Sequence, residues 1–159
     1  MNKGRYGRND KLIKEHRHDV YEENRGPEPS LCTECGALFV NGRWTWKKTG
    51  EYTSKMVCPA CRRCADNYPA GYIQIKGEFF EGHRDEILNL LRNVEEMEKG
   101  EHPLERIMLI TNEDDHTLVT TTGVHIARRI GEALSRSYKG DFSFQYGEGE
   151  KSIRVYWQR

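Results

Sequence analysis

The sequence predicts an α+β fold in two parts. A small cysteine-built module comes first, followed by a larger unit with two helices on an antiparallel or mixed sheet. Three observations predict it. Cysteines stand in two pairs, Cys32-x-x-Cys35 and Cys58-x-x-Cys61. Apolar residues recur at helical spacing in two later segments, and the segments between them have the composition and alternation of strands. A chain of 159 residues accommodates one ordinary domain or two small ones.

Residues 1–30 read as a basic, flexible arm. The first seventeen residues hold six Lys or Arg against two acidic residues, with too little apolar content to fold alone. Gly26-Pro27-Glu28-Pro29 closes the arm as an extended spacer. No apolar stretch follows Met1, so a secretory leader is not expected. His16, His18 and Asp19 fall in this arm and read as polar tail residues rather than as a metal cluster.

Residues 31–71 form the cysteine module. A two-residue spacer lets both thiolates of a pair reach one tetrahedral ion, and two such pairs fill a structural zinc shell with no position left for catalysis. Cys32, Cys35, Cys58 and Cys61 are therefore expected to hold one structural zinc. Cys64 repeats the spacing after Cys61 and offers a rival pair. Cys58-Pro59-Ala60-Cys61 is the better knuckle because Pro59 presets the turn. Cys64 reads instead as a small, half-buried residue beyond it. Between the pairs, Asn41-Gly42 marks a two-residue hairpin that sets Phe39 opposite Trp44 and Ala37 opposite Trp46. A short helix after Cys61 should end before Pro69. Knuckle, hairpin, knuckle and short helix suggest a treble-clef or zinc-ribbon arrangement. Cysteines at metal spacing point to a reducing cytoplasm.

Residues 72–159 form the α+β domain. Tyr72–Lys76 reads as a strand broken at Gly77. Ile87, Leu88, Leu91 and Val94 define a helix from His83 to Glu98, stopped by Gly100 and Pro103. Arg106–Thr111 and Thr117–Thr121 form a hairpin across the acidic loop 112–116. Ile126, Ala127, Ile130 and Leu134 line a helix from Val124 to Tyr138, with Thr122 as its expected cap. Phe142, Phe144 and Tyr146 share one face of a strand, as do Ile153, Val155 and Trp157. Both helices are expected on one side of the sheet.

The chain carries no phosphate-binding loop, dinucleotide fingerprint or nucleophile elbow, so neither an enzyme nor a small-molecule substrate is expected. Its longest aliphatic run, Ile107–Ile110, is too short to span a bilayer. The zero net charge hides an asymmetry: residues 1–71 hold thirteen basic against nine acidic residues, and residues 72–159 twelve against sixteen. Arg5, Arg8 and Lys11 of the arm, with Arg43, Lys47, Lys48, Lys55, Arg62 and Arg63 of the module, are candidate RNA contacts. Interleaved with Trp44, Trp46 and Tyr52, they suit phosphates and unstacked bases. The polar sheet residues Ser143, Gln145 and Arg154 have the layout of an RNA-reading face but lack its usual aromatic signature.

These stretches resemble an uncharacterised bacterial family of short zinc proteins. The likeness lies in Leu31-Cys-Thr-Glu-Cys-Gly-Ala-Leu-Phe, Val57-Cys-Pro-Ala-Cys and Pro69-Ala-Gly-Tyr. It continues in the helix from His83, in Thr120-Thr-Thr-Gly-Val-His-Ile-Ala-Arg-Arg-Ile-Gly-Glu-Ala-Leu and in Arg154-Val-Tyr-Trp. More distantly, residues 31–157 are similar to the N-terminal part of the archaeal and eukaryotic adaptor that accompanies the large ribosomal subunit during nuclear export. The adaptor has more cysteine pairs and further domains, so export itself is not implied. The resemblance implies a ribosome-associated factor that binds the large subunit and its rRNA, on idle (hibernating) particles or in late assembly. The alternative is a zinc-dependent protein–protein interaction module without RNA contact.

Overall fold

The computed structural model describes residues 27–47 and 51–159. The expected arm contacts Arg5, Arg8 and Lys11, the residues His16, His18 and Asp19, and Lys48 of the module all lie outside the described residues. The fold is α+β, with one small and one larger sheet, both mixed.

The small sheet is built from β1 (Ser30–Cys32), β2 (Leu38–Val40), β3 (Arg43–Thr45) and β4 (Ser54–Met56), in the order β3-β2-β1-β4. Its hairpin turns where the sequence placed it. Asn41 and Gly42 have φ of 54° and 76°, the two positive values that a type I′ turn demands. Phe39 pairs with Trp44, and their rings stand 5.2 Å apart. Parallel pairing of β1 with β4 sets Cys32 beside Met56 and carries the chain toward the second knuckle. Helix α1 (Pro59–Asp66) follows and stops at Asn67, whose left-handed backbone sends its N–H back to the carbonyls of Arg63 and Cys64.

The larger sheet contains β5 (Gly71–Lys76), β6 (Ile107–Asn112), β7 (Thr117–Thr121), β8 (Asp141–Tyr146) and β9 (Ile153–Gln158). Their order is β6-β7-β5-β9-β8, with β5 and β9 parallel and every other pair antiparallel. Helices α2 (Glu78–Gly82), α3 (Arg84–Glu101) and α4 (Val124–Tyr138) complete the unit. One core joins them: Ile73 and Ile75 of β5, Val119 of β7 and Val155 and Trp157 of β9 pack with Ile87 and Leu91 of α3 and Ile126, Ile130 and Leu134 of α4. Both long helices therefore lie on one side, and the alternate residues of each strand face the other way.

Three local expectations are corrected. Helix α3 runs on through Gly100 to Glu101 and stops only ahead of Pro103. Gly100 lies in open space and costs about 1 kcal/mol of helix propensity, too little to end a helix anchored by Ile87 and Leu91. Thr122 does not cap α4, because its hydroxyl is used elsewhere: it donates to the Leu104 carbonyl at 2.6 Å and accepts from Arg106 N–H at 2.8 Å. The Glu105 carboxylate, distant in sequence, accepts from Ile126 N–H at 2.8 Å instead. Finally, the unit holds a helix beyond the two expected: the strand breaks at Gly77 as predicted, and α2 follows it, placing Phe80 in the core.

The candidate metal centre

The first knuckle is a tight turn closed by Gly36 N–H on the Cys32 carbonyl, 3.1 Å, and by Cys32 N–H on the Ala37 carbonyl, 2.8 Å. Gly36 holds a φ of 83°, a conformation other residues adopt only under strain. In the second knuckle Cys58 has two roles. Its sulfur belongs to the cluster, and it is also the N-cap of α1, accepting Cys61 N–H at 3.4 Å with Pro59 next in the helix. The positive end of the helix thus faces a sulfur that must be a thiolate to bind metal.

The four sulfurs of Cys32, Cys35, Cys58 and Cys61 all lie within 4.8 Å of one another, and none is in a disulfide. Cys32 and Cys61 are separated by 3.9 Å, Cys35 and Cys58 by 3.8 Å. A tetrahedron with metal–sulfur bonds of about 2.3 Å has edges of about 3.8 Å. These spacings fit one structural zinc held by all four cysteines. The same side chains supply the module's small interior, where Cys32, Ala37, Cys58 and Ala60 are buried and Trp44 and Trp46 pack against them. Both tryptophans therefore serve packing, and Trp46 also donates its indole N–H to the Lys99 carbonyl at 2.6 Å.

Cys64 stands outside the cluster, exposed on α1 rather than half-buried. Burial raises the Cys32 thiol, but the backbone N–H groups of Cys35, Cys58 and Glu34 outweigh it and bring it down to about 7. Burial pushes the Cys58 and Cys61 thiols up. Coordination to a zinc ion would remove the protons of all four thiols outright.

Arg106 is the functional residue that sequence reasoning missed. Its guanidinium reaches Cys35 Sγ at 3.1 Å, Cys61 Sγ at 3.2 Å and Cys58 Sγ at 3.5 Å. A further donation from Nε to the Pro103 carbonyl at 2.7 Å orients the fork. Four thiolates around a zinc ion carry a net charge of about −2, which a nearby guanidinium partly offsets. No spacing rule marks this residue among the 25 Lys and Arg of the chain.

The structure sorts the expected RNA contacts. Arg43, Lys47 and Lys55 are exposed, and none of the ion pairs among the described residues engages them. The sheet register puts Lys55 in one row with Leu31, Leu38 and Thr45, and Arg43 faces the same side. Arg62 is partly covered. Arg63 is buried and donates to the Tyr68 carbonyl at 3.2 Å, so α1 uses it structurally. Tyr52 is exposed. On the larger unit, Arg129 and His125 are tied to Glu98 at 3.0 and 3.1 Å. Arg128 pairs with Glu132 at 3.4 Å and covers the Phe144 ring.

No family model, curated protein or solved structure matches the chain.

Proposed function

We propose that this chain is a non-enzymatic, zinc-stapled factor that binds the large ribosomal subunit through its rRNA, on idle or late-assembly particles. The observation that carries this reading is the trio Arg43, Lys47 and Lys55, exposed on the metal-held module and unpaired among the described residues. Unpaired cations on a fold too small to stand without its metal are suited to phosphate neutralisation. The closed sulfur shell argues against a catalytic role for the zinc, because no coordination position is left for water or substrate. The likeness of the two-part layout to the large-subunit adaptor supports the choice of partner. A ribosomal role implies the cytoplasm. No described helix is long and apolar enough to cross a membrane.

Co-sedimentation with purified large and small subunits over a salt series tests the proposal. Binding should favour the large subunit and weaken steeply with salt, because each neutralised phosphate releases a counterion. Reversing Arg43, Lys47 and Lys55 to Glu should flatten that dependence and lower occupancy. Salt-independent binding, or no ribosome association in growing or starved cells, would favour the protein-interaction alternative.

A further inference from the structure

With both long helices packed on one side of the five-stranded sheet, no described helix covers its other face. The strand register fixes what that face presents. One row runs Leu109, Thr120, Tyr72, Arg154, Gln145 across all five strands. The next runs Thr111, Leu118, Gln74, Tyr156, Ser143, and a shorter third runs Lys76, Gln158, Asp141. Arg154, Tyr156, Ser143 and Gln145 are exposed, Tyr156 at 39%. A shallow cavity of about 320 Å³ opens here, lined in part by Gln74, Lys76, Ser143, Tyr156 and Gln158.

We infer that this face is a binding platform for single-stranded nucleic acid, separate from the cationic surface of the zinc module and independent of the ribosomal reading. The two aromatic rings sit on two adjacent interior strands, β5 and β9. Tyr156 is a diagonal neighbour of Tyr72, about 7–8 Å away between the backbones, a gap that two successive nucleotides of an extended strand span. The Arg154 guanidinium lies 4.5 Å from the Tyr72 ring centroid, so an unstacked base on that spot meets a cationic plane with an aromatic floor. Tyr156 offers a second ring with its own exposed surface. Gln74, Gln145, Gln158 and Ser143 combine donors and acceptors and can match base edges of either polarity. Lys76 and Arg154 supply positive charge for the backbone. Asp141 is the one acid in the three rows, while Glu113 touches Thr111 and Asp115 lies close enough to Lys76 to feel its charge at the β6–β7 turn. Thr120 Oγ1, beside Tyr72 in the first row, is a buried side-chain oxygen without a hydrogen-bond partner among the described residues.

A flat polar face with rings at its centre fits one occupant best. A protein strand adds at a sheet edge through its backbone, and the rings here lie on β5 and β9, which are flanked on both sides. A duplex hides its base faces and gives tyrosines nothing to stack on. Unpaired bases use the rings, the amides and the cations together.

Fluorescence anisotropy of the intact zinc-loaded protein with labelled oligo(U), oligo(A) and a duplex of equal length tests the platform. Single strands should bind more tightly than the duplex, which can use only cations and not the rings, and the preference should survive reversal of Arg43, Lys47 and Lys55 to Glu. Tyr156→Ala should weaken binding about 10-fold or more, the loss expected for one base–ring stack, and Tyr156→Phe should restore it. Arg154→Glu should weaken binding further and reduce the salt slope. These side chains are exposed, so each variant should melt with the wild type, and ultraviolet crosslinking should tag the Tyr156 peptide. Oligonucleotide binding that ignores Tyr156→Ala, or equal affinity for duplex, would overturn the assignment. Absence of any oligonucleotide binding would also overturn it and leave a protein partner as the occupant. Subunit sedimentation is scored separately, so either proposal can fail without the other.

Discussion

Arg106 stands 3.1 Å from Cys35 across the boundary between the zinc module and the larger unit. The guanidinium comes from the turn before β6, 45 residues beyond Cys61 in sequence, and directs its donors to the sulfurs of the cluster. Folding of the larger unit therefore delivers part of the metal site's charge balance. Trp46, bound to the Lys99 carbonyl, and Leu104, packed against the cysteine cluster, tie the same two surfaces.

Removing that guanidinium should loosen the metal. Arg106→Leu leaves the four thiolates in place without their hydrogen-bond donor, and outer-shell losses of this kind typically cost about 10–100-fold in affinity. Arg106→Lys should recover part of the effect, since a point charge remains but the fork does not. Competition against a chromogenic chelator measures both. Equal zinc affinity in wild type and Arg106→Leu would show the contact to be incidental.

The ligand set predicts a sharp split among cysteine variants. Metal analysis should find one zinc per chain in Cys64→Ser, whose sulfur is outside the cluster, and little or none in Cys32→Ser or Cys58→Ser. Zinc lost from Cys64→Ser and kept by Cys58→Ser would exchange the second pair.

What was legible in the sequence is what local chemistry dictates. Ile126, Ala127, Ile130 and Leu134 define a single stripe, and α4 has the bounds that stripe implies. Asn41-Gly42 permits one kind of turn, and the cysteine spacing one kind of shell. The features that sequence reading missed depend on distant partners. Arg106 meets sulfurs 45 and 71 residues away in sequence. Glu105 replaces Thr122 as the cap because the fold brings its carboxylate to the start of α4. Helix α2 has five residues, too few for a periodicity, and Phe80 N–H within it binds the carbonyl of Arg159 at the other end of the unit. The open face was half legible: its polar residues showed, but pairing of β5 with β9 was needed to bring Tyr72 and Tyr156 together.

Glu105 should give stability an identifiable pH dependence. Burial pushes its carboxyl up, against the opposing pull of the Ile126 backbone N–H. A folded value above the unfolded one means the bound proton contributes stability that is fully present below about 4.5 and lost as pH rises through the elevated value. Glu105→Gln keeps the acceptor for Ile126 and removes the titration. Urea unfolding at about pH 4 and about pH 7 should show the variant gaining on wild type at the higher pH. A pH-independent difference would mean that Glu105 is ionised without penalty.

Gly131 sets helix propensity against packing. Alanine in the middle of α4 would gain about 1 kcal/mol from propensity alone. Its Cβ would lie 2.4 Å from Phe142 Cε1 and 2.7 Å from Val155 Cγ1, and Val155 is fully buried on an interior strand. Overpacking of this kind costs about 1–3 kcal/mol. Packing should win, so Gly131→Ala should lower the melting temperature. A raised one would show that β8 yields at the edge of the sheet.

Zinc removal should separate the two parts energetically. Beyond Cys32, Ala37, Cys58 and Ala60 the module buries few side chains, chiefly Ser30, Leu38, Phe39 and Arg63, a core too small to fix four short strands without the metal. The larger unit keeps its own interior from Ile73 to Trp157. Among the described contacts it loses the sulfur partners of Arg106, the Trp46 indole on Lys99 and the packing of Leu104 on the cysteines. Hydrogen exchange after chelation should therefore show protection gone from β1–β4 and α1 and retained in β5, β9 and α4. The surviving melt should stay cooperative and move to lower temperature, because the Lys99 carbonyl loses its indole donor and the Arg106 fork its sulfurs. Simultaneous loss of protection in β5 and β9 would mean that the contacts across the boundary build a single cooperative core.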